Sequence, residues 1–333
     1  MNDVVQLIVP REVPLGGPRS MTVRRTLPAR ERSFVGAWCF VDHYGPDDVS
    51  AGGGMDVAPH PHSGLATVSW LFSGEVEHRD SLGTVAMVRP GEVHLMTAGR
   101  GISHSEVSTP ATSVLHGAQL WLVLPSAVAD VEPRFEHYVP SLLEVASGVR
   151  AQVFVGSLWG STSPVRVETP LVGAEVVLDA GASVVLPVPD GFEVAVLVDT
   201  GSVTVGSVTV GSVTVARGEL GVVGAGRHPA GVSVVAGAEG ARVLVLGGEP
   251  FGEEVVMWWN FIGRSHDDVV AMREAWEGGP ERFGSVPGYS GAVSRIPAPA
   301  LPGVRLRPRG NRGSREKPAD SGFAGGAEAP ALS

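Results

Sequence analysis

Short valine-rich runs, each closed by glycine, proline, aspartate or serine, constrain this chain more than any other feature. Thr67–Phe72 (TVSWLF), Leu115–Leu124 (LHGAQLWLVL), Ala151–Gly156 (AQVFVG) and Phe192–Val198 (FEVAVLV) are of this kind. β-Branched and aromatic residues suit a pleated, half-buried strand, and the closing residues suit turns. With 45 glycines and 26 prolines among 333 residues, long helices have little room. The pattern predicts an all-β fold of sandwich or barrel type. One segment reads as a helix, residues 266–277. Ser265 is its expected N-cap, Asp267 and Asp268 fall in the first turn, and Val269, Met272 and Trp276 share a face.

The length suggests two domains. Strand texture runs on through residues 131–295, but histidine does not. Of ten histidines, seven lie between His43 and His116, and only His137, His228 and His266 follow. This predicts an N-terminal unit, residues 1–130, that carries the chemistry, and a second β unit, residues 131–295, that does not. From 296 to 333 Pro, Gly, Ala and Arg dominate without periodicity, which predicts a disordered tail. Residues 201–215 read GSVTV three times. An odd period would turn the valines from face to face in one continuous strand. The repeat therefore predicts three short VTV strands joined by Gly-Ser turns.

Several function classes fall away. A net charge of −10 disfavours direct nucleic-acid binding. No apolar run reaches the roughly 18 residues of a membrane-spanning helix. The opening MNDVVQLIVPREVP lacks the apolar stretch of a secretory signal. The single cysteine, Cys39, cannot form an internal disulfide, reads as a small buried hydrophobe, and fits a reducing compartment. The expectation is a cytoplasmic monomer with a small-molecule or protein partner, and neither nucleic acid nor membrane.

The chemistry is concentrated in two pairs. His60 and His62 stand two apart in APHPHSG, and His104 and Glu106 stand two apart in GISHSE. On an extended strand such residues point the same way. Two pairs facing one another would present three imidazoles and a carboxylate, a donor set for Fe, Mn, Ni, Cu or Zn with positions left open. The other histidines read as scaffold, cavity wall or supports. His78 faces solvent or pairs with Glu75, Glu77 or Asp80; His94 is a polar strand residue, lines the cavity or competes for metal; His116 supports a ligand; His43 braces a turn. Gln119 and Trp121 alternate with Leu120 and Leu122, so one pair faces the cavity. Arg100 holds an anionic substrate, orients Glu106 or forms an ion pair. Gly99 and Gly101 permit the tight turn before the second ligand pair.

HPHSGLATVSWLFSGEVEHRDSLG, VRPGEVHLMTAGRGISHSE and HGAQLWLVLP resemble the pirin family of the cupin superfamily. So do RRTLPARERSFVGAWCFVDHYGP upstream, and EPRFEHY and GGEPFGEEVVMWWNFIG downstream. The resemblance spans roughly residues 20–290 and implies two tandem cupin barrels of jelly-roll type. It implies one divalent transition metal held by His60, His62, His104 and Glu106, iron first among the candidates, with Glu106 as the catalytic base. Two departures stand out: Ala66 replaces an acid often found after His-x-His, and His94 replaces a different polar residue. The activity implied is that of a quercetin 2,3-dioxygenase acting on flavonols or another enolisable aromatic. The alternative is a non-enzymatic, iron-dependent regulator that binds a transcription factor or metabolic enzyme.

Overall fold

The computed structural model describes residues 4–15, 21–51 and 54–311. Strands dominate them, and the one α-helix among them is His266–Gly278. The expected all-β class with a short C-terminal helix is the class observed. No helix among the described residues is long and apolar enough to cross a membrane.

The N-terminal half is built from two antiparallel sheets. One runs Arg134–Tyr138, Val93–Thr97, Leu65–Ser73, Val114–Val123, Trp38–Asp48, Met21–Leu27 and Arg11–Leu15 in spatial order. The other runs Asp56–His62, Ile102–Ser108, Val76–Asp80 and Val85–Val88. The sheets face each other. Ser69 of the first reaches Glu106 of the second, and the His62 ring stands edge-on to Trp121 at 5.1 Å.

The C-terminal half is one ten-stranded sheet, bent where its longest strands, Glu193–Ser207 and Val232–Gly248, shift register. Alternation along these strands explains their unbroken apolar sequence. Val194, Val196 and Val198 enter the sheet's own core, while Ala195 and Leu197 enter a second core shared with the N-terminal half. Val243 and Val245 against Leu244 and Leu246 repeat the division. A sheet buried on both faces has no polar side to show in its sequence.

The shared core joins the two halves. Trp70 stacks on Phe154 at 4.7 Å and donates its indole N–H to Glu175 at 2.6 Å. Trp38 shares its own between the Val172 and Gly247 carbonyls, each at 3.2 Å. The chain crosses between halves at both ends of the expected division at residue 130. Gln6–Ile8 pairs with Leu220–Val223 in the C-terminal sheet, and Arg134–Tyr138 pairs with Val93–Thr97 in the N-terminal one.

Two expectations change. The GSVTV repeat forms two strands and not three. Its first copy pairs with its third, Val203 opposite Val215 and Val205 opposite Val213, and the middle copy makes the turn at 208–210. The outer copies suffice for the ladder, and the turn leaves Val208 in solvent. Residues 296–311, expected as the start of a disordered tail, are held against the body. The Ile296 amide donates to the Pro59 carbonyl at 2.8 Å, and Arg305 pairs with Asp267 at 2.7 Å. Arg309 and Val255 exchange two backbone bonds, and Asn311 Oδ1 caps the Ser33 and Phe34 amides. Proline-rich chain without periodicity is held here one hydrogen bond at a time. The rest of the expected tail, 312–333, lies outside the described residues.

The helix starts as its sequence predicts. The Ser265 hydroxyl accepts from the Asp268 amide at 3.1 Å while Asp268 accepts from the Ser265 amide at 2.9 Å. Val269, Met272 and Trp276 are its buried face.

Candidate metal centre

Alternation on Asp56–His62 and on Ile102–Ser108 turns His60, His62 and His104 into the N-terminal barrel. His60 lies directly opposite His104, and a register shift between His104 and Glu106 sets Glu106 against Val57. The three imidazoles gather with ring centroids 4.4–5.0 Å apart. Their ligand atoms lie within 4.8 Å of one another. Glu106 meets that distance with His104 and His78, and it shares a cavity with His60 and His62. The turn before the second pair depends on Gly99, at φ 52°, where a Cβ would collide with the Val131 carbonyl.

Hydrogen bonding orients the rings. The His60 Nδ1–H donates to the Ala58 carbonyl at 2.9 Å, which leaves Nε2 bare toward its neighbours. His104 is oriented through a relay. Burial alone would raise the Asp80 carboxyl, but hydrogen bonds from His78 and Thr84 hold it below the usual carboxylate range. Ionised, Asp80 only accepts, so His78 donates from Nε2 at 3.2 Å and its Nδ1 accepts. His104 then donates from Nδ1 at 3.4 Å, and its Nε2 is left unprotonated.

That Nε2 lies 3.1 Å from Nε2 of His62. That contact suits either a neutral His62 donating its Nε2–H to His104 or two bare nitrogens sharing one ion. Burial drives His60 down to about 4 and His62 and His104 well below the ordinary imidazole range, with neighbouring imidazoles adding to the effect, so the three rings are neutral and each keeps one lone pair for a metal. Metal–nitrogen bonds of about 2.0–2.1 Å place neighbouring ligands roughly 3 Å apart, so the donor set fits a divalent transition metal. Glu106 is buried and its carboxyl is pushed up by that burial, against the nearby His78 and a weak bond from Ser69.

The centre opens on a cavity of about 420 Å³. His60, His62, Glu106, Gln119 and Trp121 line it, so the Gln119 and Trp121 side of their strand is the side that faces in. Phe40 stacks on Trp121 at 4.0 Å, and the Arg25 guanidinium lies 4.1 Å above Phe40 while bonding Asp42 at 2.6 and 2.7 Å. Met257, Trp259 and Asn260 complete the mouth from the hairpin of Val256–Trp258 and Phe261–Gly263.

The remaining candidates fall elsewhere. Arg100 is half exposed and pairs with Glu132 at 2.7 Å, the ion-pair reading. His43 and His116 meet Asp199 of the C-terminal sheet at 2.7 and 2.5 Å, away from the centre. His94 is buried beside Phe135 and His137. His228 bonds the Phe192 carbonyl at 2.8 Å and belongs to no ligand cluster among the described residues. His78 is buried and bonds Asp80, one of its expected partners, instead of facing solvent; its place beside His104 is what the sequence reading missed.

Two family models divide the chain, one described as pirin over residues 20–122 and one as the pirin C-terminal cupin domain over 173–284. The chain belongs to the pirin family. Among pirin relatives, a Pseudomonas aeruginosa protein bearing the name "putative quercetin 2,3-dioxygenase" is 40% identical, over 90% of this chain and 91% of its own. A pirin-like protein of Caulobacter vibrioides is 34% identical, over 77% of this chain and 88% of its own. The crystal structure of a quercetin 2,3-dioxygenase from Acinetobacter baumannii superposes with a TM-score of 0.82 at 37% identity, covering 91% of this chain and 98% of that one. The two-cupin architecture of pirins is thus the architecture found here.

Proposed function

We propose that this pirin is a metal-dependent dioxygenase acting on quercetin-like flavonols or a similar enolisable hydroxyaromatic. The observation that carries the reading is the convergence of three neutral, buried imidazoles, two of them in the wall of a cavity with aromatic sides. His60, His62 and His104 hold the metal, with Glu106 as a fourth, looser ligand. Iron is the first candidate, and manganese, nickel, copper and zinc suit the same donors. A bound ion supplies Lewis acidity toward a substrate oxygen. The names and titles borne by the Pseudomonas and Acinetobacter relatives support the same activity.

The residues divide the remaining work. Phe40 and Trp121 offer a flat apolar face to an aromatic ring. Arg25, held by Asp42, offers donors to a phenolic oxygen at the rim. Glu106 takes the proton of the reacting hydroxyl, which leaves the ring electron-rich toward dioxygen. Trp259 and Asn260 limit the entry of water. Residues 1–130 thus carry the reaction, and 131–295 support it.

Elemental analysis of protein purified without added metal identifies the ion. Metal-loaded protein mixed with quercetin under anaerobic conditions and then exposed to oxygen tests the reaction. Flavonol consumption above the free-metal control is expected, falling at least tenfold in Glu106→Gln. No consumption above that control with iron, manganese, nickel or copper sinks the proposal.

A further inference from the structure

Among the described residues, two groups of ligand-type side chains share no member with the centre, and one is well placed to take an ion of its own. His94 on Val93–Thr97 lies directly opposite His137 on Arg134–Tyr138. Their ring centroids are 4.7 Å apart. Glu92 stands beside both, its Oε2 2.9 Å from His137 Nε2 and 3.8 Å from His94 Nε2. The ligand atoms of all three lie within 4.8 Å of one another. None of the three belongs to the donor set at His60, His62 and His104.

His94 is the observation that points to a ligand. It is 4% exposed, and neither of its ring nitrogens has a hydrogen-bond partner. A buried imidazole without partners is costly, and natural proteins rarely leave one so. The other buried histidine clusters show the contrast. His78 and His104 belong to the relay that ends at Asp80. In the group of His43, His116 and Asp199, Arg24 donates to His43 Nδ1 at 3.2 Å and Arg242 to Asp199 at 2.6 Å. A neutral His43 that accepts at Nδ1 carries its proton on Nε2 and has no lone pair left for a metal. At His94 nothing competes.

We propose that Glu92, His94 and His137 form a second divalent-metal site, suited to zinc or a similar nitrogen-seeking ion. Two imidazoles and a carboxylate match the donor preference of such ions, and water fills the remaining positions. Tetrahedral coordination at about 2.1 Å sets ligand atoms roughly 3.4 Å apart. The His94 to Glu92 distance is close to this. His137, whose side chain is 44% exposed, has the freedom to swing into place, and it gives the ion an entry path. The site would fasten Arg134–Tyr138, the last strand before the chain passes to the C-terminal sheet, to the barrel that it closes.

Equilibrium dialysis against micromolar Zn²⁺, followed by elemental analysis of the full-length protein, reads the site as a number of ions per chain. His137→Ala is expected to bind one equivalent fewer than the unaltered protein, while His60→Ala loses a different one, so that the double variant loses both. Circular dichroism checks that His137→Ala, a surface change, remains folded. His94→Phe, which keeps the exposed His137–Glu92 pair, is expected to lose the same equivalent. Equal stoichiometry in His137→Ala and the unaltered protein overturns the proposal. So does retention of the ion in a folded His94→Phe, because binding would then belong to the surface pair.

Discussion

At the scale of single residues, the candidate metal centre depends on partners that orient the His60 and His104 rings. Asp80 never reaches the cavity, yet its negative charge decides which nitrogen of His78 carries a proton, and His78 decides the same for His104. Asp80→Asn would break that logic, because an amide can donate as well as accept. Metal affinity should fall about 10–100-fold while His60 and His62 remain in place, measured by competition with a chromophoric chelator. Unchanged affinity would mean that His104 is oriented by packing alone. Cys39 shows the opposite case. It is fully buried, burial pushes its thiol up, and it serves as a small apolar side chain.

At the scale of elements, the repeat hairpin tests how pairing register tolerates change. Removing residues 206–210 would leave Gly211 and Ser212 as a two-residue turn between Val205 and Val213, which already face each other. The ladder keeps its register but buried Val210 is lost, so the deletion should cost about 2 kcal/mol in urea unfolding. Removing Ser202 alone should cost more, because a one-residue slip sends buried Val203 and Val205 toward the wrong face. The helix offers a plainer test. Ser265→Ala removes one half of a reciprocal cap and should cost about 1 kcal/mol, read as a lower denaturant midpoint.

At the scale of the whole molecule, Asp199 binds the halves together. It extends from the C-terminal sheet to His43 and His116 of the N-terminal barrel, with Arg242 at its other oxygen. Burial would raise this carboxyl, but hydrogen bonds and charge from His116 and His43 outweigh it and hold the group far below its ordinary value. A carboxyl depressed in the folded state adds stability above the unfolded value, near 4, and loses it as the pH falls through the folded one. Unfolding free energy should therefore decline below about pH 4, and part of that decline should vanish in Asp199→Asn. At neutral pH the same variant should lose about 3 kcal/mol, since it strands the groups around it. A variant as stable as the original across this range would show that Asp199 adds nothing to the joint made by the Trp38 and Trp70 core and by the strand pairing between the halves.

Local pattern was enough for the all-β class, the helix with its cap and buried face, and the two His/Glu pairs. Each of these depends on neighbours within a few residues, where strand alternation and capping geometry are set by the chain itself. Three other features depended on partners far away in the chain. His78 and Asp80 have the spacing of a ligand pair, but only pairing with Ile102–Ser108 shows that they face inward and support His104. His43 and His116 read as a turn brace and a ligand support, and the second half of the molecule supplied the carboxylate that claims them both. Residues 296–311 carry no periodicity, and their order comes from single hydrogen bonds to Pro59, Val255 and Phe34. By itself the sequence determined the all-β class, the helix with its cap, and which side chains of the His60/His62 and His104/Glu106 pairs would share a face. The tertiary structure alone decided which faces meet, because the energy of a buried polar group lies in the partner it finds, and most of these partners lie far along the chain.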